Sequence, residues 1–87
     1  MACYIVSYDL RKQRNYDSLY EAIKGYGGWA HILESTWAVV TQESAADVRN
    51  RLLQHLDADD GLFVVKSGTE AAWQSVLCKN DWLKTNL

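Results

Sequence analysis

Asp9 closes the apolar run Tyr4-Ile5-Val6-Ser7-Tyr8, and the polar cluster Arg11-Lys12-Gln13-Arg14-Asn15 follows one residue later. A carboxylate at the end of a buried strand costs free energy when it is desolvated without a partner. A nearby cation, a helix N-terminus, a metal ion or plain exposure at the strand tip would each relieve Asp9. Arg11, Lys12 and Arg14 could track a phosphate backbone, with Tyr8 or Tyr16 available for stacking on bases. Three charges in a row are also what a solvated loop looks like. His31 and His55 have the residue type of a general base, His31 within a strand pattern and His55 at the end of a helical one.

Other polar groups carry less. Asp57-Ala58-Asp59-Asp60-Gly61 begins like a calcium loop, but its third acid comes one position early and Gly68 stands where the closing Glu belongs. It reads as a turn. Cys3, His31, His55 and Cys78 lack the short paired spacings of a zinc site.

The elements that would position Asp9 follow from periodicity. Residues 3 to 9 read as a strand. Tyr16, Leu19, Tyr20, Ile23 and Tyr26 then share one face of a helix, capped by Asn15 or Asp17 and ended by Gly25 or Gly27. Trp29 to Leu33 and Ser35 to Thr41 form two strands reversing near Glu34-Ser35. Ser44 and Asp47 fit a capping box, opening a helix with Ala45, Val48, Leu52 and Leu56 along one side. Asp57 to Gly61 turns the chain into the strand Leu62 to Lys66. Glu70 to Leu77 reads as a helical turn or a short edge strand, and Asn80 to Leu87 as a short helix carrying Trp82 and Leu83. The expected fold is an α+β sandwich, a single ferredoxin-like βαββαβ domain over residues 1–87 with a short C-terminal extension.

Bulk properties agree with one small domain. The 87 residues are 48% hydrophobic and 11% aromatic, which excludes a disordered chain. Nine basic against eleven acidic residues exclude a protein that coats duplex nucleic acid by charge alone. Two distant cysteines, with no signal pattern and no membrane-length apolar run, lead us to expect a cytoplasmic protein with reduced thiols. Apolar residues on both faces of the strands (Ile5 and Val6, Val39 and Val40, Phe63 and Val64) predict a homodimer through the face that the helices leave bare, or through edge strands extended by the C-terminal tail. Trp29 and Trp37 are expected in the core or at that contact.

Together the run Tyr4 to Leu10 with Asp9, Leu19-Tyr20-Glu21-Ala22-Ile23-Lys24 before Tyr26-Gly27, Leu33-Glu34-Ser35-Thr36-Trp37, the turn and strand from Asp57 to Val65, and Trp82-Leu83 resemble the CRISPR-associated protein 2 family, above all its stand-alone SinR-like members. The resemblance implies a ferredoxin-like homodimer in which two Asp9 carboxylates share a Mg²⁺ ion across the interface. It implies either a metal-dependent nuclease of RNA or DNA or a scaffold that holds an integrase on DNA. On the nuclease reading Asp9 and Ser35 are the catalytic positions, Asp9 the metal ligand, and Arg11, Lys12 and Arg14 the nucleic-acid contacts. Ile32, Leu33 and Glu34 precede Ser35, where the family often carries Arg and Gln. A small-molecule-sensing or protein-docking module is the alternative of a different class.

Overall fold

The computed structural model describes residues 1–87. The chain folds as β1 (Ala2–Asp9), α1 (Asp17–Lys24), β2 (Gly28–Leu33), β3 (Thr36–Thr41), α2 (Ala45–Leu53), β4 (Gly61–Lys66) and α3 (Asn80–Asn86). The four strands make one sheet in the order β2-β3-β1-β4, antiparallel throughout. The protein is thus a small mixed α/β domain with a four-stranded antiparallel sheet and three helices.

Alternation along β1 assigns the two faces of the sheet. Tyr4, Val6 and Tyr8 point to one side, where they pack with Trp37 and Val39 of β3 against Leu19 and Ile23 of α1 and Val48 and Leu52 of α2. Cys3 and Ile5 point to the other side, with Ala38 and Val40 of β3 and Ala30 and Ile32 of β2.

Helix ends follow local chemistry. Ser44 accepts from the Asp47 N–H at 3.1 Å while the Asp47 carboxylate accepts the Ser44 N–H at 3.2 Å, a complete capping box. At α1 the cap residue is Tyr16, which caps with no side-chain hydrogen bond; Asn15 instead accepts the Asp17 N–H at 2.7 Å. Gly25 ends α1 with φ −71°, so glycine's left-handed freedom is not used there.

Two expectations are corrected by the structure. The segment from Glu70 to Leu77 is neither helical turn nor strand. Ser75 has φ 56°, a left-handed conformation that breaks an extended run, and a single bond from the Leu77 N–H to the Ile32 carbonyl (2.8 Å) ties the segment to β2. This tail then lays α3 on the second face, where Leu83 is fully buried among Cys3, Ala30, Ile32 and Ala38, with Trp73, Val76 and Trp82 around it. The chain therefore covers much of that face itself. What stays bare is the β4 side, where Phe63 is 64% and Val65 43% exposed.

The second correction concerns the tryptophans. Trp37 is buried at 3% exposure, but Trp29 is 37% exposed. β2 is the outermost strand, so no further strand flanks the Trp29 ring. It leans on Trp37 at a centroid distance of 5.6 Å, with the Lys24 Nζ 5.6 Å from its own ring. Trp37→Ala is expected to cost about 3–5 kcal/mol, and Trp29→Ala no more than about 1 kcal/mol. Leu83→Ala should cost about 2–5 kcal/mol, because it uncovers the second face. Urea melts of the three variants check the order; equal losses for the two tryptophans would refute it.

Candidate functional site

One end of the sheet gathers most of the residues singled out from the sequence. Asp9 ends β1 opposite Gly61 of β4, and the Tyr8 N–H donates to the Ser35 carbonyl at 3.1 Å. Asp9 and Ser35 thus lie at neighbouring strand ends, and both are exposed. Gly61 sits beside both the Arg11 guanidinium and the Asp9 side chain, which it faces across the β1–β4 pairing.

The Asp9 carboxylate is 79% exposed and has Arg11 Nη2 at 3.6 Å. Of the ways to relieve a strand-end carboxylate, exposure with a nearby cation is the one present. An exposed pair of this kind contributes little to stability. No group of three His, Cys, Asp or Glu side chains in the chain could hold a metal ion. One carboxylate beside an arginine does not suit Mg²⁺, which needs several oxygen donors in near-octahedral array. A single copy of the chain does not build that site.

The basic loop is engaged from within. Lys12 pairs with Asp59 at 2.9 Å, and Arg14 with Asp57 at 2.9 Å. Arg11 donates to the Asp59 carbonyl at 2.6 Å, and Arg14 to the His55 carbonyl at the end of α2 at 2.8 Å. The Arg14 guanidinium also lies 4.3 Å from the centre of the Tyr16 ring. The side chains expected to be free for phosphate are therefore the partners of the turn 57–60. Its acids, Asp57, Asp59 and Asp60, are more than forty residues from these cations in the chain, so no local pattern joins the two.

Asp60 is the hub of this contact. Its carboxylate accepts the Arg11 N–H at 2.8 Å, the Asp57 N–H at 2.9 Å and the Tyr16 hydroxyl at 2.8 and 3.0 Å. Partial burial pushes the Asp60 carboxyl upward, but the hydrogen bonds from Arg11, Asp57 and Tyr16, with Arg14 nearby, outweigh it and hold the pKa below the ordinary aspartate value.

Tyr8 and Tyr16 are not the stacking surfaces expected. Both are buried, Tyr16 beneath Arg14, and Tyr8 accepts the Trp37 indole N–H at 2.9 Å. Burial raises the pKa of the Tyr8 hydroxyl. His31 stacks flat on Trp37 at 4.0 Å and donates from Nε2 to the Glu34 carbonyl at 3.0 Å, which is a structural position. His55 lies in the α2–β4 connection, beside Arg51 and Tyr26 in a shallow depression apart from Asp9.

No family model matches this sequence. The fold is similar to the crystal structure of a hypothetical protein, TT1823, from Thermus thermophilus. The TM-score is 0.68 with 22% sequence identity, over 86% of this chain and 92% of that one. At this identity the likeness speaks to the fold alone. No helix is long and apolar enough to cross a membrane.

The Asp60 hub has a pH signature. Its folded-state pKa is depressed, so its contribution to stability is present above the unfolded aspartate pKa of about 3.9 and is lost as pH falls through the folded value. Asp60→Asn should lower stability at neutral pH and flatten the loss of stability below about pH 4. Thermal melts of both proteins from neutral to acidic pH check this; parallel curves would show that Asp60 is not the titrating group.

Proposed function

We propose that this chain is a ferredoxin-like homodimer of the CRISPR-associated protein 2 and SinR-like group, acting in the cytoplasm as a scaffold on or near nucleic acid. The order of elements supports the fold, since β1-α1-β2 and β3-α2-β4 feed a sheet ordered β2-β3-β1-β4. The observation that carries the functional reading is the placement of the bare apolar strip. Phe63 and Val65 lie on the same face as Asp9, on an outermost strand with nothing on its far edge. Exposed apolar side chains on an open strand edge invite a second strand. A second copy seated there brings two Asp9 side chains to one interface.

A scaffold fits the charge pattern better than a phosphate-cutting centre. Arg11, Lys12 and Arg14 are held by Asp9, Asp59 and Asp57, so phosphate must displace a carboxylate to reach them. An integrase is the partner that the scaffold reading implies, and RNA or DNA the polymer.

The exposure of Asp9 favours a second reading, Mg²⁺-dependent phosphodiester cleavage. Two Asp9 carboxylates from two copies would be a sound oxygen donor set, and Mg²⁺ bound there supplies charge stabilisation and an acidified water. In that case Asp9 exchanges its contact with Arg11 for the ion, Arg11 turns to a flanking phosphate, and the Ser35 hydroxyl orients the substrate from the adjoining turn.

Sedimentation at micromolar concentration should show a species of twice the chain mass, and Phe63→Glu should convert it to monomer without loss of secondary structure. A wild-type monomer would refute the dimer. Incubation of single- and double-stranded RNA and DNA with Mg²⁺ or Mn²⁺ separates the two readings. The scaffold reading expects no cleavage; cleavage abolished by Asp9→Asn in an intact dimer would establish the nuclease instead.

A further inference from the structure

The bare strip on β4 is too small to hold a second copy by itself. A phenylalanine and a valine, each only partly exposed, present at most about 300 Å² of apolar surface. Each partner of a stable complex buries roughly 800 Å². A dimer through Phe63 and Val65 therefore needs further apolar surface on the same side of the molecule. The exposed large apolar side chains are few. Met1 at the start of the chain, Leu53 of α2, and Trp29, which leans on Trp37 on the helix-covered face, lie elsewhere. Leu33, 46% exposed, and Leu77, 65% exposed, remain.

Strand register puts these two at the far end of the row that Phe63 begins. Phe63 faces Ser7 across the β1–β4 pairing, Ser7 faces Thr36, and Thr36 faces Leu33. The row runs from β4 to β2 with two small hydroxyl side chains between a phenylalanine and a leucine. The bulge of β2 falls at this point, so Ile32 and Leu33 together oppose Thr36. The Ile32 carbonyl accepts the Leu77 N–H, which adds Leu77 to the β2 end of the same row. There the tail stands off the strand and leaves a cleft of about 330 Å³ beside Ala30, Leu77 and Trp82.

The two ends of the row also differ in height. The tail and α3 form a second layer over β2, β3 and the start of β1, whereas Phe63 and Val65 stay open. Two copies meeting tail on tail would hold their β4 strips apart across a gap. Two copies related by an axis along the strands, between β3 and β1 at the centre of the sheet, exchange their outer strands instead. Each raised tail then enters the space over the other copy's β4, and one shared layer covers both strips. We propose that a second copy of this chain docks in this way, with Phe63 and Val65 of one copy against Leu33 and Leu77 of the partner subunit. The proposal rests on the homodimer reading above and adds to it the surface that β4 meets.

Charge exchange on the full chain, read by sedimentation, tests it. Phe63→Glu and Leu77→Lys should each weaken the dimer about 30-fold or more. An equimolar mixture of these two variants should recover a heterodimer, because one contact becomes Glu against Lys while the other stays Leu against Phe. The reversed pair, Phe63→Lys with Leu77→Glu, should behave alike, and urea melts of each variant confirm that the fold is retained. Dissociation by Phe63→Glu but not by Leu77→Lys overturns the proposal while the homodimer stands. Two dissociated variants that do not recover on mixing do the same. Recovery on mixing Phe63→Glu with Phe63→Lys would show β4 against β4, which also overturns it. A wild-type monomer overturns the proposal together with the reading beneath it.

Discussion

β1 is apolar on both of its faces, and this constraint organises the molecule. Tyr4, Val6 and Tyr8 need cover on one side, Cys3 and Ile5 on the other, and both sets lie in strands shared with β3. A sheet faced by helices on one side only would leave the second set in water. Two short helices, α1 and α2, meet the first demand. The second is met by a tail with almost no regular structure before α3, anchored by Leu83 and by the single backbone bond between Leu77 and Ile32. That tail is short and crosses toward β2, which is why β4 keeps Phe63 and Val65 in the open. The exposed strip and the β2 cleft are two consequences of the same incomplete covering.

The β1–α1 loop is held by a second kind of constraint. Asp9, Asp57, Asp59 and Asp60 set four carboxylates against the three cations Arg11, Lys12 and Arg14. Each exposed pair is weak on its own. Asp60 differs because it also takes two backbone N–H groups and the Tyr16 hydroxyl, which fixes the turn 57–60 against the start of α1. The loop is therefore positioned by geometry and left with little free positive charge. A phosphate approaching this end meets an arrangement that is already neutralised.

Much of this frame was legible in the sequence, because periodicity and capping are local. The four strands, α1, α2 with its Ser44–Asp47 box, and the short helix at Trp82-Leu83 all follow from residues within a few positions of one another. The positions of the aromatic rings did not follow. Whether Trp29 is buried depends on β2 being outermost, a property of strand order that no local pattern states. Tyr8 and Tyr16 stand beside charged residues in sequence yet lie under Trp37 and Arg14 in space. The partners of Arg14 and Lys12 are more than forty residues away in the chain, so a run of three basic residues said nothing about its own neutralisation. Sequence reading offered a second copy the bare face or edge strands extended by the tail, because residues 70–77 have no periodicity to show that the tail packs on the sheet.

The two ends of the sheet differ in what they can do alone. At the Asp9 end the exposed groups are a carboxylate, a hydroxyl and an arginine already turned toward the acid, with no second oxygen donor to fix an ion. Chemistry there requires a donor from outside the chain, and the strip of Phe63 and Val65 on the same face is the surface through which a second copy could deliver one. At the β2 edge the Trp29 ring lies against Trp37 on the face that α1 and α2 cover, while Trp82 packs with Leu83 on the other face. An 87-residue domain has too little interior to build a deep site, and this one spends its aromatic rings on covering both faces of the sheet while its polar cluster stays in the open at the end of β1.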